Sequence, residues 1–146
     1  MGWASLLSAN RVAKEAPSKT ELDNLRSIVS RSLSDVAAKG LSDDGRFVQA
    51  YDAARTLSLI VVRAEGYRPK SKGGYHYNTF RALEAADPAF AAMSAYFEGC
   101  RTKRNASEYD VAGGVSKTEA DGLLKEVTKF TVDVAAWMKT HHPSLA

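Results

Sequence analysis

From Ser116 onward the chain repeats one spacing. Leu123, Val127, Phe130, Val134 and Trp137 follow one another by steps of four and three, and Leu124, Thr131 and Met138 widen the stripe. Only a helix turns residues so spaced to one side, and a stripe this short packs in a bundle rather than along an extended coiled coil. Ser116-Lys117-Thr118-Glu119 opens it as a capping box, with hydroxyl and carboxylate each placed to satisfy an orphan backbone N–H. The same grammar recurs upstream. Ser18-Lys19-Thr20-Glu21 is a second capping box, followed by Leu22, Leu25, Val29, Leu33 and Val36 and stopped by Gly40. A third helix starts near Ser42 and carries Phe47, Tyr51, Ala54, Leu57 and Val61 before Gly66. Its stretch Thr56–Val62 has strand-like composition, but no turn separates it from the helical pattern, so it reads as buried helix. A short helix covers Asn78–Ala86. Asp87-Pro88 then supplies an N-cap and a first-turn proline for a helix carrying Phe90, Met93, Phe97 and Cys100 on to about Tyr109, and Gly113-Gly114 breaks the chain.

Between these, Tyr67–Tyr77 is the one long irregular connection, and Trp3–Glu15 is a weakly patterned helix expected as a peripheral arm. The expected fold is all-α: an antiparallel bundle of five to six helices with no strand. At 146 residues it is expected to be one domain over 1–146, with 142–146 as a tail.

Several function classes fall away. No apolar run approaches the ~20 residues that a membrane span requires, and the N-terminus lacks the apolar core of a signal peptide, so a cytoplasmic location is expected. Cys100 is the single cysteine and lies on an apolar stripe, where it reads as a small buried hydrophobe. There is no Gly-rich phosphate loop, no His-Glu-x-x-His and no Cys-x-x-Cys; neither a metal site nor a cofactor is expected. His141-His142 reads as frayed tail.

Charge is more informative. The net charge is only +3, but Arg63, Arg68, Lys70, Lys72 and Arg81 face Glu65 alone between positions 63 and 81, and Arg101, Lys103 and Arg104 add to them. Taking these eight from twenty basic residues leaves twelve, against sixteen of the seventeen acids, so the remainder is net −4. Such concentration favours an anionic partner, phosphate first. Met93, Phe97 and Cys100 step towards Arg104, which directs a guanidinium at the bundle or an interface. Burying it unpaired is costly, so it requires a carboxylate, carbonyls or a ligand phosphate. Glu108, one turn on, offers a plain (i, i+4) ion pair. Asn105 and Tyr109 form another (i, i+4) pair beside Arg101; an Arg, an amide and a phenol at a helix end are a phosphate-contact set.

These segments resemble the HEPN family (higher eukaryotes and prokaryotes nucleotide-binding), in particular its small bacterial stand-alone members. The hallmark there is an Arg, often followed by a polar residue, then four to six residues and a His. A group of relatives reads Arg-x-x-Ala-Asp-Tyr-Asp, a break, and a helix with a Ser-x-x-Glu cap. Here the order is Arg104-Asn105-Ala106-Ser107-Glu108-Tyr109-Asp110, Gly113-Gly114, then Ser116-Lys117-Thr118-Glu119. Ala50-Tyr51-Asp52-Ala53-Ala54-Arg55-Thr56-Leu57 is similar to the family's small-residue helix. Glu65-Gly66-Tyr67-Arg68-Pro69-Lys70, leading to Tyr75-His76, is similar to its basic connection. The likeness runs from about Phe47 to Met138.

The resemblance implies an antiparallel helical bundle, usually a homodimer, whose active members are metal-independent endoribonucleases acting on RNA. Arg104 falls on the Arg position, which stabilises charge at the scissile phosphate, and Asn105 on the polar one. Tyr109 stands where the family has His, and a phenol with an ordinary pKa near ~10 is a poor base at neutral pH. His76 supplies the missing imidazole if its loop folds over Arg104. The expected catalytic set is therefore Arg104, Tyr109 and His76. The expected nucleic-acid contacts are Arg63, Arg68, Lys70, Lys72, Arg101, Lys103 and Asn105, and the expected partner is RNA or nucleotide phosphate, as in a toxin component. The alternative is a catalytically silent dimerisation or adaptor module paired with an antitoxin or a nucleotidyltransferase that modifies Tyr109.

Overall fold

The structure is a computed structural model and describes residues 2–105 and 114–146. In chain order the elements are α1 (Trp3–Ser8), β1 (Val12–Lys14), α2 (Lys19–Val36), α3 (Asp43–Ala64), β2 (Tyr67–Pro69), α4 (Tyr75–Ala86), a 3-10 turn (Pro88–Phe90), α5 (Ala91–Asn105), α6 (Lys117–His141) and a 3-10 turn (Pro143–Leu145). The architecture is an all-α bundle of six α-helices among the described residues, with one small ribbon added.

The caps form as their spacing predicts. Ser18 Oγ accepts from Glu21 N at 3.2 Å and Ser42 Oγ from Gly45 N at 3.0 Å. At α6 both halves of the box close: Ser116 Oγ accepts from Glu119 N, and Ser116 N donates to Glu119 Oε1, each at 3.0 Å. α3 is the central element. It packs against α2, α4, α5 and α6, which is why thirteen of its 22 residues are buried and why its sequence is apolar on nearly every side. Phe80 of α4, Phe97 of α5 and Phe130 of α6 form a chain of ring contacts at 5.8 and 5.3 Å, and Phe90 meets Phe130 edge-on at 5.5 Å. Offset and edge-on geometries of this kind add to the burial itself.

Four expectations are corrected. The chain does contain strands: β1 pairs antiparallel with β2, in register Val12↔Pro69, Ala13↔Arg68 and Lys14↔Tyr67. The N-terminal segment is a short helix, a turn and a strand rather than one helix to Glu15. Asn10 takes a left-handed φ of 59° at the turn, a conformation Asn tolerates well. The segment is no loose arm either: Leu6 and Val12 are buried with Val62 and Ala82, and Trp3 stacks on Tyr67 at 3.9 Å. α4 begins at Tyr75, three residues earlier than its apolar pattern starts, because fully buried Asn78 fixes the preceding loop; its Nδ2 donates to the carbonyls of Lys70 (2.8 Å) and Lys72 (2.7 Å). Finally, the C-terminal stretch from His142 to Leu145 is held down rather than frayed. His142 Nε2 lies 3.0 Å from Glu65 Oε2, and Leu145 packs on the core with its carbonyl accepting from Arg26.

Candidate functional site

Tyr51 and Arg55 lie one turn apart on α3, His76 in the first turn of α4, and Arg101, Arg104 and Asn105 in the last turns of α5. Their meeting point is set by the packing, since α4 and α5 both lie against α3. The Tyr51 ring is fully buried. Its hydroxyl is 3.0 Å from His76 Nδ1, and the Arg104 guanidinium sits 5.7 Å from its ring centroid, a cation–π geometry. Arg104 Nη1 also donates to Asn105 Oδ1 at 3.4 Å. Arg101 donates from Nε (2.9 Å) and Nη2 (2.7 Å) to Glu98 Oε1. Arg55 Nε is buried, with no hydrogen-bond partner among the described residues.

Basic groups dominate the charges that act on Tyr51 and His76. Burial, and then the charges of Arg55, Arg104 and Arg101, push His76 down to about 4. Burial drives the Tyr51 phenol well above its ordinary range, while Arg104, Arg55 and Arg101 pull it back. At neutral pH a neutral phenol therefore bonds a neutral imidazole. If Nδ1–H donates to the phenol oxygen, Nε2 is left as a base; if the phenol donates, Nε2 carries the proton. Three guanidiniums act on this pair, with Glu98 as the carboxylate bound to one of them. An anion placed among them relieves mutual repulsion, and its planar-donor requirement is what guanidinium supplies.

His76 thus lies in the electrostatic reach of Arg101 and Arg104, placed by the first turn of α4 and not by a loop folded over Arg104. Tyr109 and Glu108 lie outside the described residues. Arg63 is not a surface contact: it is 4% exposed, and every guanidinium N–H is engaged. Nε and Nη2 bind Glu21, Nη1 donates to the carbonyls of Glu15 (3.0 Å) and Tyr67 (2.9 Å), and Nη2 to that of Ala16 (3.2 Å). It ties the ribbon to α2, so its place in the expected nucleic-acid set is corrected. Arg68 is exposed, 3.7 Å from Glu15. Lys70 Nζ bonds Asn10 Oδ1, Lys72 is exposed in the loop before α4, and Lys103 reaches Glu119 at 3.2 Å.

The residues that sequence reasoning missed are Tyr51 and Arg55. Their (i, i+4) spacing was the available signal, inside a helix read for its apolar stripe and its small residues, with Tyr51 taken as core. Among the described residues no group of His, Cys, Asp and Glu is arranged to hold a metal ion, and no helix is long and apolar enough to cross a membrane. Burial raises the Cys100 thiol to about 11, so it is not a ready nucleophile.

A comparison with protein-family models matches residues 37–135, which run from the end of α2 into α6, to the SAV_6107-like HEPN domain. Neither curated proteins nor solved structures yield a match.

Proposed function

The chain belongs to the SAV_6107-like HEPN family, and on that premise we propose that it binds RNA or nucleotide phosphate at the Arg55–Arg101–Arg104 cluster and cleaves RNA there. One observation carries the reading: the charges of three guanidiniums, from two helices, converge on the uncharged pair of buried Tyr51 and half-buried His76. A phosphodiester seated among them adds negative charge to a cluster rich in guanidiniums. It also reverses the field on His76, raising its basicity towards the ordinary value near ~6.5 as the substrate arrives. In the tautomer with Nδ1–H donating to Tyr51, Nε2 accepts the proton of a ribose 2′-hydroxyl. That oxygen attacks the adjacent phosphorus, the guanidiniums stabilise charge on the non-bridging oxygens, and the leaving 5′-oxygen takes a proton from solvent. The products are a 2′,3′-cyclic phosphate and a 5′-hydroxyl end.

Fluorescence anisotropy with a single-stranded RNA 12-mer tests binding. Arg55→Ala and Arg104→Ala are each expected to weaken it about tenfold or more, the scale of a lost charge-assisted contact. Unchanged affinity in both variants defeats the reading. His76→Ala is expected to keep binding while abolishing cyclic-phosphate product; the same RNA with 2′-deoxy sugars is expected to bind uncleaved.

A further inference from the structure

All but one of the described tyrosines have their rings engaged. Tyr51 is buried, Tyr67 stacks on Trp3 at 3.9 Å, and Tyr77 lies between the guanidiniums of Arg11 (5.4 Å) and Arg81 (5.6 Å). Tyr96 meets Phe97 at 5.9 Å, and its hydroxyl is hydrogen-bonded to Cys100. Tyr75 is the exception. It is 37% exposed, and its hydroxyl has no hydrogen-bond partner among the described residues. Its one ring contact there is with His76, at 6.2 Å and an angle of 65°. The loop before it leaves the ring uncovered. Ser71, Lys72, Gly73 and Gly74 are all exposed, and the two glycines take φ of 78° and 109°, where side chains are disfavoured. A single apolar side chain at a surface is ordinary. What distinguishes Tyr75 is its place, beside the imidazole to which the proposed reaction brings a ribose.

We propose that Tyr75 is the platform on which the base of that ribose stacks, so that the site takes RNA whose base at the cleaved position is unpaired. The proposal rests on the reading of the Tyr51–His76 cluster as an RNA site and deepens it. In a nucleotide the 2′-hydroxyl and the base sit on adjacent carbons. A sugar that donates to His76 Nε2 therefore carries its base into the immediate surroundings of the imidazole, where Tyr75 stands. An aromatic face accepts any base, because every base has a π face to offer. In a duplex that face is already covered by neighbouring pairs, whereas an unpaired base can be splayed onto the ring.

Anisotropy titrations with two 12-mers provide the test, one of adenosine and one of abasic ribose phosphate. Both carry the same phosphates, and only the first carries bases. Tyr75→Ala is expected to weaken binding of the adenosine strand about tenfold and to leave the abasic strand unchanged. Tyr75→Leu, apolar but without a π face, is expected to match Tyr75→Ala, and Tyr75→Trp to bind adenosine at least as tightly as the native chain. An uncharged contact releases no counterions, so the salt slope of Tyr75→Ala is expected to equal that of the native chain. Native affinity for the adenosine strand in Tyr75→Ala or Tyr75→Leu, or an equal loss on both strands, overturns the proposal. Arg104→Ala separates it from the reading beneath and is expected to weaken both strands. If it weakens neither, the phosphate site is what fails, and the stacking proposal falls with it.

Discussion

His76 is kept uncharged by burial and by guanidiniums on two neighbouring helices, and this has a measurable cost in acid. Its folded pKa, about 4, lies below the unfolded value near ~6.5. Between those values the unfolded chain takes up a proton that the folded chain refuses, so stability falls as pH drops through that window and is unaffected above it. Because the ring is only partly buried, the effect is about 1–2 kcal/mol rather than the full linkage value. Urea midpoints at pH 6.5 and 4 are expected to differ less in His76→Gln than in the native chain. If the two proteins lose stability equally, His76 is not held neutral. Arg63 has the opposite character. Arg63 is buried and its partner Glu21 is half-exposed, so Arg63→Met chiefly leaves the carbonyls of Glu15, Ala16 and Tyr67 without their donor, with an expected loss of about 2–3 kcal/mol. RNA affinity per folded molecule should not change. These two residues show why single side chains are poorly legible in a sequence. Both read as polar groups in a basic stretch, and only the position of α2 and α5, far away in the chain, decides that one is structural and the other sits in the site. Arg104 was legible because the Met93, Phe97, Cys100 stripe pointed at it, whereas Arg55 had no such pointer.

The helices were far easier to read than the pieces between them. α2, α3 and α6 carry their own start signals and long apolar stripes, so local chemistry and burial agree. Ser116→Ala removes one half of a closed box and is expected to lower stability by about 1 kcal/mol, read as a shifted urea midpoint. The ribbon gave no comparable signal. Three residues on each side are too few for alternation to register, and strands 53 or more positions apart pair only because Arg63 and the Trp3–Tyr67 stack bring the segments together. The start of α4 was missed for a related reason. It is set by a tertiary contact, Asn78 bridging Arg11 and the loop carbonyls, and by Gly74 at φ 109° where side chains are disfavoured. Asn78→Ala leaves the carbonyls of Lys70 and Lys72 without that donor. It is expected to cost about 2–3 kcal/mol and to speed hydrogen exchange of the amides in the first turn of α4, the turn that carries His76.

For the molecule as a whole, the question is how a chain of net charge +3 holds a polyanion. Total charge is too small to do so by bulk attraction, since the residues outside the two basic segments sum to −4. The apparent surplus in the segments also shrinks in the folded state: Arg63 is internal and Lys103 is bound to Glu119. Binding must then rest on a few converging charges rather than an extended basic face, and salt dependence distinguishes the two. A single strand releases about 0.7 counterion per phosphate neutralised, so three guanidiniums give a slope of log K against log salt of about −2. An extended face using Arg68, Lys70 and Lys72 as well would double it. Anisotropy titrations across a tenfold range of potassium chloride are expected to give the shallow value, and Arg104→Ala to reduce it by about 0.7. The double variant Lys70→Ala/Lys72→Ala is expected to leave the slope where it was. A steep slope that this double variant relaxes places the RNA along the ribbon and loop instead, and removes the Tyr51–His76 pair from the chemistry.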